Sequence, residues 1–518
     1  MATGAGPHGP STYDRIPYES HPFVQTHPDR LATVARLFGM SPAPPEACRV
    51  LELGCAGGGN LVPMASELPS GRFLGIDLSE RQVEDGRRTI DALGLDNVEL
   101  RHLSILDVGE DLGVFDYVIA HGVYSWVPNE VQTKILEICN RNLAPNGVAY
   151  VSYNTYPGWH LRGMVRDMML YHSARFSEPE ERILQSRAIL DFLASSASPE
   201  GPYGLLLREE LELLRDKRDS YLFHEHLEES NEALYFFQFA ERAGAAGLQF
   251  LGEAEPAAMA GVTLPENVRS VLARLSPDLF HSEQYLDFLR NRTFRQTLLC
   301  HRDVPLVRAI PTSVLRGLHV ASSLQPAPPE AGDAGSRFVG PDDISLTTHD
   351  PLVTAALDRL AESWPAWIPF ELLLDDARTG GSGAEAEAAL GSRLLTFYVT
   401  AAFLELHSMP PHFVTEPGER PVPAPLARLQ AGDGNRVTNR RHEVVVLTEV
   451  ERQTLLLLDG VRNVGEVSAA LADLVEAGDL TAEESGRPVT DPAEIRDGVA
   501  RSVGGILRNL ARHALLIG

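Results

Sequence analysis

Residues 49–60 read Arg-Val-Leu-Glu-Leu-Gly-Cys-Ala-Gly-Gly-Gly-Asn. A strand-like apolar run breaks into a glycine turn, and the helix-like segment Leu61-Val-Pro-Met64 follows. Gly54, Gly57, Gly58 and Gly59 let the backbone turn tightly and approach a ligand without interference from Cβ atoms. The first turn of the next helix offers N–H groups with no intrahelical partner, and Pro63 suits that turn because its missing N–H is not needed there. The pattern reads as a nucleotide-like cofactor site; by itself it is also an ordinary strand-to-helix loop. A second strand-like run, Arg72-Phe-Leu-Gly-Ile-Asp77, ends on a carboxylate roughly 20 residues after the turn, the offset at which an acidic side chain grips ribose hydroxyls in doubly wound sheets. Asp77 is the expected ribose ligand, with Leu78 beside it.

Working outward, strand-like runs recur at residues 98–102, 115–122 and 147–153, separated by helical patterns, and this near-continuous βαβ alternation predicts a parallel sheet. The turn is not the G-x-G-x-x-G of dinucleotide sites. Glu52-x-Gly54-x-Ala56-x-Gly58 resembles the E-x-G-x-G-x-G turn of class I methyltransferases, with Ala56 in the central place. That resemblance implies an α/β, Rossmann-like sheet with S-adenosylmethionine (SAM) as cofactor. It implies that Glu52 reaches the cationic methionine end, with Gly54, Cys55, Ala56, Gly58 and Asn60 around it. Ser104 and Ile105 are expected at the adenine, with Asp107 behind them, and His121, Gly122 and Trp126 beside the cofactor. For His121, which ends a strand, a hydrogen-bonded structural role is the competing reading.

Longer phrases narrow the resemblance. They are Leu-Glu-Leu-Gly-Cys-Ala at 51–56, Gly-Asn-Leu-Val-Pro-Met at 59–64, His-Leu-Ser-Ile-Leu-Asp at 102–107, His-Gly-Val-Tyr-Ser-Trp-Val-Pro at 121–128 and Tyr-Val-Ser-Tyr-Asn-Thr-Tyr-Pro-Gly-Trp at 150–159. Together they resemble the bacterial protein-lysine methyltransferases first recognised as modifiers of rickettsial outer-membrane proteins, which carry a methyltransferase regulatory domain. Ala56 and Ser104 are ordinary in that family. The resemblance continues through Arg166-Asp-Met-Met-Leu-Tyr-His172, Glu225-His-Leu-Glu228 and residues 292–301, fades past about residue 325, and returns at Val437-Thr-Asn-Arg-Arg-His442. It implies a SAM-dependent methyltransferase acting on amine nitrogen of a protein or peptide, above all lysine. A tailoring enzyme that methylates nitrogen or oxygen of a small molecule or peptide natural product is the alternative. A SAM-binding scaffold without turnover fits the intact cofactor loop and the Asn154-Thr-Tyr-Pro157 loop less well.

The 518-residue chain is too long for one core, and at roughly 150 residues per domain it should hold three or four. Its formal charge of −26 argues against nucleic acid as a partner. The same acidity suits a basic acceptor, or simply keeps the chain in solution. Cys48, Cys55, Cys139 and Cys300 have neither metal-ligand spacing nor the density of a disulfide framework. No run approaches a membrane span, and the first ten residues lack the pattern of a leader, so a soluble, cytoplasmic protein is expected.

The organisation predicted is a Rossmann-like methyltransferase sheet with a helical insert, followed by regulatory and winged-helix-like C-terminal domains. Residues 1–20 are expected to be a flexible N-terminal lid, and the resemblance implies that Tyr13 and Tyr18 within it, with His21 and Phe23 just after it, fold over the cofactor. Residues 21–160 and 219–255 make the SAM-binding domain, with its last helix and strands drawn from 222–228, 233–246 and 248–253. A fragment ending near residue 255 should therefore keep a complete sheet. Residues 161–218 are a helical insert, an acceptor lid or, as the resemblance implies, a homodimer contact. Residues 256–324 correspond to the regulatory domain, 325–343 to a Pro- and Gly-rich linker, 344–409 to a helical or winged-helix unit, 410–425 to a second linker and 426–518 to a winged-helix-like unit. The charge makes protein contact the better reading of that last unit than DNA.

Methyl transfer from a sulfonium needs no acid on the leaving group, so the protein mainly positions the acceptor and excludes water. A lysine acceptor arrives as an ammonium ion and must lose a proton, and aromatic rings stabilise such a cation without strong hydrogen bonds. The aromatic residues that follow the fourth and fifth strands lie at the sheet edge where ligands bind. Trp126 is expected beside the adenine or the methyl group, Tyr153 and Asn154 at the amine, and Tyr156 and Trp159 in the channel wall. Each ring taken separately serves equally well as packing between loop and insert. Glu225 and Glu228, with Tyr221 and His224, offer a carboxylate that attracts lysine or accepts its proton, or else plain surface charge.

Overall fold

The computed structural model describes residues 20–518 apart from 229, 260, 262–263, 331, 378–382, 401–402, 482 and 485–486. Seven strands build the central sheet: β1 (Arg49–Leu53), β2 (Arg72–Asp77), β3 (Val98–His102), β4 (Phe115–Ala120), β5 (Leu143–Asn154), β6 (Leu248–Glu253) and β7 (Phe294–His301). Their order is β3-β2-β1-β4-β5-β7-β6. The first five strands pair in parallel, and β7 runs antiparallel to both its neighbours. Such strands are apolar at nearly every position because helices cover both faces. Val50, Tyr117, Ile119, Val148 and Tyr150 pack on one side with helices Pro28–Leu37, Leu61–Glu67 and Glu80–Leu93. Leu51, Leu53, Val118, Ala149 and Val151 face helices Asn129–Arg141 and Phe236–Ala245 on the other. The direction of the crossovers reverses between β1 and β4, so the carboxyl ends of these strands open on a crevice.

The end of the sheet departs from the sequence reading. Residues 222–228 form no strand; they close a short helix with a π turn, Phe223–Leu227. The missing strand is β7, expected in a separate regulatory unit, which instead fills the place between β5 and β6. A chain ending near residue 255 therefore lacks an interior strand. Arg295 pins β7 in place: its fully buried guanidinium bonds Glu253 at 2.7 Å, Asp287 at 2.9 Å and Glu283 at 3.1 Å, and lies 4.1 Å over the Phe236 ring. A basic residue inside a strand is no sequence signal of a core position, because only the three carboxylates make its burial tolerable.

Helices Trp159–Ser173, Pro179–Ser196 and Pro202–Arg215 make the insert, with its own core around Val165, Met169, Ile183, Leu190, Leu207 and Phe223. Residues 325–343 are not a bare linker: strands Gln325–Ala327 and Ser336–Val339 join Ser345–Thr348 in an antiparallel sheet that buries Phe338. Helices Pro351–Ser363, Phe370–Ala377 and Gly383–Thr400 then pack with strands His319–Ser322, Ile368–Pro369 and Leu404–His407. The second linker is tied down as well, since Val414 and Val422 donate backbone hydrogen bonds to Leu516 and Gly518. The C-terminal winged-helix domain carries helices Pro425–Asp433, Glu449–Leu457, Val464–Ala477 and Pro492–Arg512 and the hairpin Arg436–Thr438 with Val444–Val446. Among the described residues no helix is long and apolar enough to cross a membrane.

Candidate active site

A cavity of about 670 Å³ opens at the carboxyl ends of β1, β2, β4 and β5. At its floor, Gly54 has φ +74°, and a Cβ there would meet Val123 Cγ2 at 2.5 Å. Ala56 also holds a positive φ of 50°, unusual for a residue with a side chain. That conformation turns its N–H onto Asp77 Oδ2 at 2.8 Å, while Asp77 Oδ1 accepts from Ser79 N at 2.8 Å. The glycine turn and the end of β2 are thus joined through the carboxylate expected to hold ribose.

Glu52 lies at the base of the turn, buried, with Oε1 accepting from Asn60 Nδ2 at 2.7 Å. Its Oε2 is buried and without a hydrogen-bond partner among the described residues. Burial pushes this carboxyl up to about 8 against the pull of the Asn60 hydrogen bond. A buried carboxyl with one oxygen unspent is the chemistry that receives an ammonium group.

Of the cofactor residues expected from the sequence, Glu52, Gly54, Cys55, Ala56, Asn60, Asp77, Leu78, Ser104, Ile105, His121, Gly122 and Trp126 all line this cavity. Gly58 does not: with φ +74° and its N–H bonded to Cys55 O, it closes the turn from beneath against Leu100 and Val62. His121 has both a place in the cavity wall and a hydrogen-bond partner, its Nδ1 lying 2.9 Å from the Tyr150 hydroxyl. Burial lowers its imidazole to about 3, so it is neutral. From the N-terminal segment, the Phe23 ring lies tilted against His121, centroids 3.9 Å apart, and Ser20 Oγ accepts from Gly59 N at 2.6 Å. Tyr13 and Tyr18 lie outside the described residues.

The far end of the cavity is aromatic and charged. Trp126 and Trp159 meet edge to face at 6.2 Å, and the Arg162 guanidinium sits 5.8 Å over the Trp159 ring. Tyr221, His224 and Glu225 form the opposite wall. Glu225 sits on the π turn, a distortion common at functional sites. Desolvation pushes its carboxyl up to about 7, opposed by Arg162, His224 and Arg166. Glu228 does not face the cavity; it lies behind, 3.0 Å from His224 Nδ1. Asn154 does face it, with a buried Nδ2 that no described residue accepts.

Two expected catalytic residues are elsewhere. Tyr153 is fully buried, stacked on Phe239 at 4.1 Å and reached by Thr297 Oγ1 at 3.4 Å. Successive strand residues point to opposite faces, so Tyr153 and Asn154 cannot both face the ligand. Tyr156 stacks on His160 at 3.9 Å and lies 5.2 Å from Tyr235, away from the cavity lining. The reading also missed Arg162 and Phe294, both of which line the cavity. Arg162 follows Trp159 by three residues on a helix and so shares its face, a spacing visible in the sequence. Phe294 comes with β7 and was out of reach without the strand order.

Three stretches match known families: residues 51–149 a family described as methyltransferase domain, 218–301 a predicted methyltransferase regulatory domain, and 419–515 the C-terminal winged helix domain of PKMT. The regulatory match begins well before residue 256. It takes in the π turn with Glu225 and both β6 and β7, so this region completes the sheet and one wall of the cavity. The Rickettsia prowazekii protein RP789 is 35% identical over 523 residues, covering 98% of this chain and 93% of its own. A second R. prowazekii protein, RP028, is 45% identical over 233 residues, 45% of this chain and 93% of its own. Among solved structures, PKMT2 from Rickettsia typhi superposes with TM-score 0.88 at 34% identity, over 97% of this chain and 100% of that one. Its complex with AdoHcy superposes with TM-score 0.87. The whole-length likeness, the turn built on Glu52, Ala56 and Asp77, and the matched domains at both ends lead to one assignment: this chain belongs to the SAM-dependent methyltransferases of the rickettsial PKMT family.

Proposed function

We propose that the chain methylates the side-chain amine of lysine in a protein or peptide acceptor. SAM, when bound, supplies an electrophilic methyl group on a sulfonium. Glu52 receives its amino group, Asp77 its ribose and Ser104 with Ile105 its adenine, while Gly54, Cys55, Ala56, Asn60, Leu78, His121, Gly122 and Trp126 enclose it. The observation that carries the acceptor reading is that Trp126, Trp159, Tyr221 and Asn154, whose Nδ2 has no partner among the described residues, line the same cavity as the Glu225 carboxylate. Rings stabilise an alkylammonium and carry no base that would compete with it. Glu225, raised to about 7, attracts that cation when ionised and is basic enough to take its proton near neutral pH. PKMT2 of R. typhi, at 34% identity, supports the same acceptor class.

The test is mass spectrometry of the products after incubation with labelled SAM and a lysine-rich protein. Methyl groups on lysine Nζ are expected. Label confined to an extractable small molecule, or to carboxylate or hydroxyl oxygens, would replace this reading with the tailoring enzyme.

The cofactor assignment has its own test. Asp77→Ala removes two charge-assisted hydrogen bonds to a ribose, each worth about 1.5–3 kcal/mol, and also frees the N–H of Ala56. SAM affinity should fall at least about tenfold by calorimetry. Unchanged affinity would overturn the ribose role.

A further inference from the structure

The methionine end of the cavity is braced from outside the sheet. Asn60 donates to Glu52 from Nδ2, and its own orientation is set by what its oxygen accepts. Oδ1 receives the Phe23 backbone N–H at 2.9 Å and His442 Nε2 at 2.8 Å, while Nδ2 also donates to the Thr26 hydroxyl at 3.0 Å, which itself donates to Phe23 O at 2.8 Å. The Phe23 N–H can only donate, so Oδ1 must face it and Nδ2 must face Glu52. His442 in turn must carry its proton on Nε2.

His442 stands 382 positions from Asn60 in sequence, at the tip of the C-terminal hairpin. Three consecutive side chains of that tip dock. Arg440 Nη1 bonds Ser66 O at 2.9 Å, in the helix Leu61–Glu67 that Asn60 precedes. Arg441 bonds both oxygens of Glu405 at 2.8 Å and Pro365 O at 2.7 Å, and its guanidinium lies 4.5 Å over Trp364. His442 then enters with φ +61°, a conformation kept by Asn439 Oδ1, which accepts from the N–H groups of Arg441 and Glu443 at 2.9 Å. Burial keeps the imidazole neutral, so a hydrogen-bond donor reaches Asn60 with no positive charge set near a cationic ligand. The motif Asn439-Arg-Arg-His442, where the family resemblance returns in the sequence, thus carries a side chain of the C-terminal domain to the residue that holds Glu52.

We propose that His442 is a positioning residue for the cofactor: together with the Phe23 N–H it holds Asn60 in the one orientation that directs the Glu52 carboxyl at the amino group of SAM. The proposal rests on the reading that Glu52 receives that group. It predicts that the C-terminal domain sets cofactor affinity through one side chain and does not act only as a dock for partners.

The test is calorimetry on the full-length protein with two ligands, S-adenosylhomocysteine and 5′-methylthioadenosine, which lacks the amino-acid end. His442→Ala should weaken S-adenosylhomocysteine about fivefold or more, the effect of one hydrogen bond, and leave 5′-methylthioadenosine within about twofold. His442→Gln, which keeps an N–H donor and the same backbone demand, should retain most of the affinity. In a Glu52→Gln background, His442→Ala should add no more than about a twofold loss, because the two groups act in series. Wild-type affinity in His442→Ala, an equal loss for both ligands, or an undiminished loss beside Glu52→Gln would each overturn the proposal. If Glu52→Gln by itself leaves S-adenosylhomocysteine unaffected, the Glu52 reading falls and the positioning role falls with it.

Discussion

A chain truncated after Glu255 is expected to be insoluble or unfolded and to bind no SAM. Strand β6 does not touch β5; β7 lies between them, pairing with β5 along residues 149–154 and with β6 along 248–253. Removing β7 exposes the inner edge of both neighbours and takes Leu298 and Leu299 out of the cores on the two faces of the sheet, each side chain fully buried and worth about 1.5–3 kcal/mol. Removing Arg295 as well leaves Glu253 buried without its cation, a loss of about 3–5 kcal/mol. The sum consumes most of the roughly 5–15 kcal/mol by which a domain is stable. Circular dichroism and calorimetry on the fragment decide it: a folded, SAM-binding product would show that β6 can pair directly with β5 and that β7 is dispensable.

Glu225→Gln should lower the turnover rate by about 10²-fold or more near neutral pH, the usual contribution of a general base. A free lysine amine has a pKa of about 10.4, so near pH 7.5 only about one in a thousand is unprotonated. With Glu225 raised to about 7, the acceptor can lose its proton inside the cavity. The sign follows. Below pH 7 the carboxyl is protonated and cannot accept, so the wild-type rate should rise through about 7 and then level off. In the Gln variant the proton must leave to solvent, and the rate should keep rising towards about pH 10. Identical pH profiles for the two proteins would assign Glu225 a purely electrostatic or structural part. SAM affinity serves as the control, since the part proposed for Glu225 concerns the acceptor and not the cofactor.

The cofactor half of the site was legible in the chain because its signals are local. A glycine turn after an apolar strand, and a carboxylate at the end of the next strand, specify backbone conformation and spacing within a few tens of residues. Glu52, Ala56, Asp77 and Ser104 could therefore be placed before any contact was known. The acceptor half was legible only in part. Trp126, Asn154 and Trp159 follow strands whose ends meet at one edge, and all three reach the cavity. Tyr153 and Tyr156, in the same loop region, do not, because strand alternation and ring stacking turn them elsewhere.

What the chain alone determined is the class of fold, the cofactor and the loops that line the cavity. Tertiary structure decided the rest: which strand lies between β5 and β6, which of Glu225 and Glu228 lines the cavity, and which distant hairpin meets Asn60. Arg295 reads as a surface residue until three carboxylates surround it, and His442 reads as an isolated histidine until a hairpin carries it to Asn60. The physical reason is common to both. A polar side chain is buried only where distant partners satisfy it, and partners hundreds of residues apart leave no periodicity or spacing in the sequence.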